Sequence, residues 1–365
     1  MTDIAIRRLH TQRLTGERFA SAVEAVGWLG AVQSQDYAGA KWALGQRTAG
    51  ATDGDLDRLF NRGAILRTHL MRPTWHFVLP ADIRWLQQLT ADRVRAQMAF
   101  YDRRLEVDSP LLRRGRAALA TALRDGTHLT RTELGKALER SGIRLSNQQL
   151  GHVLMHAELD ALICSGPRHG KQFTHALLEE RAPKPPQLDR DDALAELTRR
   201  YFTSHGPAQP KDFTWWSGLT MADAKRGLAL VGTALTQEVI GGKAHWSAPS
   251  PPPPANPKPI LHLLPNYDEF LVAYRDRSAV VELAQELGIA PFADGSILAH
   301  LVVLRGQAWG GWKRRSDGRR MVVELGRVNV LDSEGEAALD RAAGDLATFL
   351  ELPATVEGLS RRGGR

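Results

Sequence analysis

At 365 residues, 43% hydrophobic and 24% charged, the chain is expected to be a soluble protein of two to four compact units, domains commonly being about 100–150 residues long. A single cysteine, Cys164, argues against a disulfide framework and a Cys-based metal site; no apolar run approaches about 18 residues, and MTDIAIRRLHTQ lacks a signal-peptide core, so the cytoplasm is expected. The net charge of +7 sits in the first half, with 25 Lys/Arg against 19 Asp/Glu over residues 1–180 and 23 against 22 thereafter, which points to an anionic partner, nucleic acid first, or to a chain that is merely Arg-rich.

In chain order, TGERFASAVEAVGWLGAVQ predicts an apolar-periodic helix, and Gln33-Ser34-Gln35 stands at its end. An amide does not titrate near neutral pH and cannot serve as a general base. If these two side chains act on a substrate, that substrate must already be poised to break; the alternative is a pair of solvated glutamines. On a regular helix, positions i and i+2 lie about 200° apart, so joint action requires a helix end or a distorted turn. DGDLDRLFNRG predicts a second amphipathic segment, and AILRTHLMRPTWHFVLP a strand pair broken at Pro73. Arg67, His69, Arg72, Trp75 and His76 share that extended run, whose alternation sends some of them to a common face. They could contact phosphate and set an aromatic or imidazole beside a sugar, or form a sheet edge with Trp75 in the core.

SPLLRRGRAALATALRDG predicts a helix ending at Gly126. HLTRTELGKALERSG follows with a capping box at Thr130 and Glu133, and SNQQLGHVLMHAELDAL with another at Ser146 and Gln149. With ICSGPRHGKQF as a hairpin, the order is that of a winged-helix module. His152 and His156 have an i, i+4 spacing that zinc sites use, but no third ligand follows, so no metal is expected. DALAELTRRYFTSHG, PKDFTWWSGL and MADAKRGLALVG predict three more helices, and TALTQEVIGGKAHWS a hairpin turning at Gly241-Gly242. The recurring order predicts a structural repeat.

SAPSPPPPANPKP reads as a polyproline linker ahead of a strand-rich end with a hairpin signal at Asp317-Gly318. Lys313, Arg314, Arg315, Arg319 and Arg320 lie on the two arms of that hairpin, a basic ribbon able to enter a groove or clamp phosphates, or a solvated one. A closing helix carries a capping box at Ser333 and Glu336. The expected fold class is α+β, with units at 1–108, 109–182 and 183–246, a linker at 247–259, a strand-rich unit at 260–355 and a basic tail at 356–365. No P-loop, Rossmann fingerprint or G-x-S-x-G elbow is present.

Taken in order, QSQ, RTHLMRPTWHFV, RYFTSHGPAQPKDFTWWSGL and LLPNYDEFLVAYRDR resemble the AlkZ/YcaQ-type winged-helix DNA glycosylases, over about residues 5–350. The resemblance implies tandem winged helices and a β-barrel-like C-terminal unit, C-shaped around DNA. It implies removal of bulky or cross-linked N7-alkylpurines without a metal or redox cofactor. The AlkZ branch carries Gln-x-Gln, commonly with an aliphatic residue between, and the YcaQ branch Gln-x-Asp. Gln33 and Gln35 match the former as catalytic residues; Asp36 is out of register for the latter, and Ser34 departs from the aliphatic middle position. The resemblance also implies a hairpin reaching the minor groove, and the Asp317-Gly318 hairpin fits by character.

The implied chemistry is coherent. N7 alkylation makes the purine cationic, so it leaves as a neutral base while the sugar becomes oxocarbenium-like. Two amide oxygens could orient water at C1′ and set partial negative charge beside the cation. Lys41 is the one lysine beside the motif, so hydrolysis without strand cleavage is expected. The expected partner is double-stranded DNA carrying alkylated purines, bound by a monomer with no obligate protein partner. The rival is a non-enzymatic winged-helix DNA-binding protein, a regulator or a factor that sequesters damage; a nuclease lacks a carboxylate cluster near the basic surface.

Overall fold

After an opening helix α1 (Thr2–Thr11), the order helix, short strand, two helices, hairpin occurs twice in the computed structural model and a third time with an isolated bridge in place of the short strand. The first run is α2 (Ala22–Leu29), β1 (Val32–Gln33), α3 (Tyr37–Arg47), α4 (Asp53–Asn61), β2 (Leu66–Leu70) and β3 (Thr74–Val78), followed by the long helix α5 (Ile83–Arg104). The second is α6 (Ser109–Ala122), β4 (Leu129–Thr130), α7 (Arg131–Arg140), α8 (Asn147–Leu159), β5 (Ile163–Ser165) and β6 (Thr174–Leu177), closed by α9 (Leu178–Arg181). The third is α10 (Arg190–Ser204), α11 (Pro210–Ser217), α12 (Met221–Val231), β7 (Thr236–Ile240) and β8 (Lys243–Ser247). The structure describes residues 2–182, 188–249, 260–281, 300–316, 319–328 and 331–357; the expected linker from Ser250, the Asp317-Gly318 turn and the tail from Gly358 lie outside them.

The repeat extends to strand pairing. In the first two runs the short strand pairs with the second hairpin strand, giving the orders β1-β3-β2 and β4-β6-β5. In the third, Ala208 makes the equivalent bridge to Trp246 of β8. The strand-rich end contains β9 (Leu261–Leu264), α13 (Glu269–Val272), β10 (Leu301–Leu304), β11 (Gln307–Ser316), β12 (Met321–Val328), a helix at Ser333–Leu350 and β13 (Ala354–Glu357). Its sheet runs β13-β12-β11-β10-β9, antiparallel except for the parallel pair β12–β13.

Packing fuses the first run with the C-terminal sheet. Leu44, Phe60 and Phe77 share a core with Leu263, Val302, Trp312 and Phe349. Two indoles fix the seam: Trp42 Nε1 donates to the Leu263 carbonyl at 2.7 Å and Trp312 Nε1 to that of Leu264 at 2.8 Å. A second core joins the β2–β3 hairpin and α5 to α10–α12, whereas the middle run packs around a core of its own. Two local expectations are corrected. The helix expected to run to Gln33 stops at Leu29, because Gly30 adopts φ 79° and its N–H caps Val26 O. The closing helix is capped by Asp332, whose carboxylate reaches Gly335 N at 2.7 Å, so Ser333 is already the first helical residue.

Candidate active site

Extended backbone resolves the placement of the two glutamines. β1 pairs with β3 through Val32–Phe77 and Gln33–His76, and Ser34 N–H continues the ladder by donating to Trp75 O at 2.7 Å. Asp36 then opens α3, its carboxylate accepting from Gly39 N–H at 3.1 Å. In an extended segment, positions i and i+2 share a face, which a helix would have denied them. The two are nonetheless unlike. Gln33 is buried, and its Oε1 accepts from Arg72 Nη2 at 2.7 Å. Gln35 is exposed, with its Oε1 3.5 Å from Trp75 N. Ser34 is fully buried between them, and its Oγ has no hydrogen-bond partner among the described residues.

Two carboxylates from the start of α13 organise this motif. Glu269 is 1% exposed; its Oε1 accepts from Gln33 N at 2.9 Å and its Oε2 from Trp216 Nε1 at 2.9 Å, with His205 Nε2 3.5 Å away. Asp268 caps α13 and takes both Nη atoms of the fully buried Arg47, at 2.8 and 2.9 Å. Buried charges survive only when paired and hydrogen-bonded. Here the pairing joins four segments distant in sequence, at Gln33 with Arg47, Arg72, His205 with Trp216, and Asp268 with Glu269. Sequence reasoning quoted all four segments but gave no role to Arg47, His205, Trp216, Asp268 or Glu269. An acidic pair inside an apolar run, LVAY following PNYDEF, was the available signal.

The residues of the β2–β3 hairpin divide by burial. His76 is fully buried, and burial, with Arg72 adding, pulls its imidazole down to about 3. His69 is buried as well, its Nδ1 2.5 Å from Glu158 Oε2. Arg67 lies between the rings of Trp75 and Phe173, 4.4 and 4.6 Å from their centroids, and its Nε donates to Ser34 O at 3.2 Å. Burial lowers its pKa to about 10, so it stays charged at neutral pH. Burial likewise lowers that of Arg72, against the opposing charge of Glu269. Trp75 is the partly exposed aromatic of the set.

Lys313, Arg314 and Arg315 are exposed on β11, and Arg319 and Arg320 lie exposed just before β12. Arg315 is engaged by Glu324 at 3.0 Å and Glu357 at 3.4 Å. His300, half-buried, links this strand to the motif: burial lowers its pKa, while Asp36 raises it and Arg314 lowers it, so both charges lie within electrostatic reach of one imidazole. Lys41 is buried and paired with Asp53 at 2.7 Å and Asp57 at 3.0 Å. His152 and His156 both bond Asp102, at 2.6 and 3.0 Å, and so tie α8 to α5.

With this geometry in hand, comparison with known proteins is specific. The sequence model of the family described as "DNA glycosylase AlkZ-like" matches residues 26–349. An interstrand DNA cross-link repair glycosylase from Streptomyces sahachiroi is 25% identical over 319 residues, covering 84% of this chain and 85% of its own. The solved structure of the Streptomyces sahachiroi DNA glycosylase AlkZ superposes with a TM-score of 0.77 at 21% identity, covering 98% of this chain and 99% of that one. The fold is therefore shared along essentially the whole chain, and the family model spans most of it: this protein belongs to the AlkZ-like DNA glycosylase family.

Proposed function

We propose that this glycosylase is monofunctional and hydrolyses the N-glycosidic bond of cationic N7-alkylpurines, bulky adducts and interstrand cross-links included. One observation carries the proposal: the motif exposes an amide while the carboxylates around it are already committed. Glu269 is buried against Gln33 N–H and Trp216, Asp268 is held by Arg47, and Asp36 caps α3. A site whose neighbouring carboxylates, among the described residues, are engaged in this way suits a leaving group that departs unaided, and N7 alkylation provides one. The C1′–N9 bond breaks with its electron pair going to the purine, which neutralises the ring. Gln35, two residues along the strand from the Arg72-held Gln33, accepts a hydrogen bond from the water that attacks C1′, and that water's proton passes to solvent. Lys41, locked between two aspartates, is poorly placed as a Schiff-base nucleophile, which favours hydrolysis over strand cleavage.

In this scheme Arg67, His69, Arg72 and His76 hold the motif, while Trp75, Lys313, Arg314 and Arg315 of β11 and Arg319 and Arg320 just before β12 meet DNA. The name of the Streptomyces sahachiroi relative, an interstrand cross-link repair glycosylase, supports including cross-links. The test is release of free base from duplex DNA carrying N7-methylguanine. Gln35→Ala and Gln33→Ala are expected to bind the duplex with near-parent affinity yet release base at least about tenfold more slowly, as loss of a hydrogen bond worth roughly 1.4 kcal/mol in the transition state requires. Full activity in both variants would remove the motif from the mechanism.

A further inference from the structure

Between the first and middle runs, directly beside the glutamine pair, lies a cavity of about 390 Å³. Arg67 and Trp75 of the β2–β3 hairpin form one wall; Phe173, Gln172, Thr132 and Glu158 of the middle run form the other. The hairpin residues that line it are those that touch the motif, since Trp75 N lies 3.5 Å from Gln35 Oε1 and Arg67 Nε bonds Ser34 O. The cavity and Gln35 are thus joined through a single residue, Trp75. The volume is within the range of about 300–1,000 Å³ typical of small-molecule pockets, and a lone methyl group would leave most of it unfilled. Trp75 and Phe173, both partly exposed, flank the Arg67 guanidinium, and His69 packs against Trp75 with ring centroids 4.4 Å apart; this stack forms a wall that a flat substituent can lie along. Glu158, 2% exposed, is already bound by His69 through both the ring and the backbone N–H. The polar rim comes from Thr132 and Gln172 and from the cations Arg131 and Lys171, all exposed.

We propose that this cavity receives the substituent carried on N7 of the lesion, so that the middle run, which contributes none of the residues bonded to the two glutamines, sets which adducts are accepted. The assignment rests on the N7-alkylpurine function proposed above. Its test is the ratio of kcat/KM for a duplex carrying N7-benzylguanine to that for one carrying N7-methylguanine. Because both are measured on one preparation, the fraction of folded protein cancels. Thr132→Trp, an exposed position on the first turn of α7, puts an indole at the cavity rim and is expected to lower the ratio at least tenfold. Thr132→Ala, which opens the rim, is expected to hold or raise it. A Thr132→Trp ratio within twofold of the parent, whether both rates fall together or neither falls, overturns the cavity assignment and leaves the chemistry standing. A parent protein that releases neither base overturns the functional proposal and this assignment with it.

Discussion

Arg72 is the residue on which the proposed chemistry most depends after the glutamines themselves. It bonds the Gln33 amide oxygen at 2.7 Å, and no other cation bonds that atom among the described residues. A hydrogen bond from a charged group is worth roughly 1.5–3 kcal/mol, so Arg72→Ala is expected to lower kcat by about ten- to a hundredfold, with KM for the duplex changed much less. A pure rise in KM would instead make Arg72 a DNA contact. Ser34 invites the opposite expectation. Its Oγ is buried without a partner among the described residues, in a position where the resemblance implies an aliphatic side chain. Ser34→Ala should therefore leave turnover within a fewfold of the parent and be neutral to about 1 kcal/mol stabilising, read from the urea midpoint. Loss of more than that would mean the hydroxyl is satisfied in solution.

Among the elements, legibility followed amphipathicity and local capping. α7 and α8 start where their capping boxes put them, with Thr130–Glu133 and Ser146–Gln149 both closed. The β7–β8 hairpin turns at Gly241-Gly242 with φ 57° and 73°, a conformation that favours glycine at both positions. α3 is not legible in the sequence because ten of its eleven residues are buried; a helix covered on all sides has no apolar stripe to read. α5 is buried only over its first half, to Val94, which blurs its period. The glutamine motif was placed at a helix end because nothing local announces a two-residue strand; β1 exists only through its pairing with β3. Tertiary contact also explains Gly218, the C-cap of α11. It sits at φ 71°, and a Cβ there would come within 2.3 Å of Met71 O, next to Arg72. Gly218→Ala is expected to cost roughly 1–3 kcal/mol and to lower base release by displacing the hairpin tip. Unchanged stability and rate would show that the tip has room to move.

For the whole molecule, the α+β class and the recurring element order were visible in the sequence; the fusion of the first run with the C-terminal sheet was not. Nothing in Trp42 or Trp312 alone says that their indoles meet β9 carbonyls some 220 and 48 residues away along the chain. The charge bias and helical runs left an enzyme and a regulator equally open, and the family match decides for the glycosylase. Buried histidines give the assembled fold a pH dependence. Burial holds His76 down at about 3 and His262 at about 4, below the ordinary 6.5. The unfolded chain takes up protons at these sites from about pH 6.5 downward while the folded chain resists. Their stabilisation is therefore complete above that pH and lost progressively as pH falls toward 4. The urea midpoint should drop between pH 7 and pH 5; a midpoint that rises toward pH 5 would show these rings protonated in the fold.

The central claim is that an amide-based site cleaves only where the base is already a good leaving group. Single-turnover release of N7-methylguanine and of hypoxanthine, each placed in the same duplex context, tests it most directly. Measurable release of N7-methylguanine with no detectable release of neutral hypoxanthine is the expected result. Comparable rates for the two bases would require a proton donor or a general base at the site, and would contradict the mechanism built on Gln33 and Gln35.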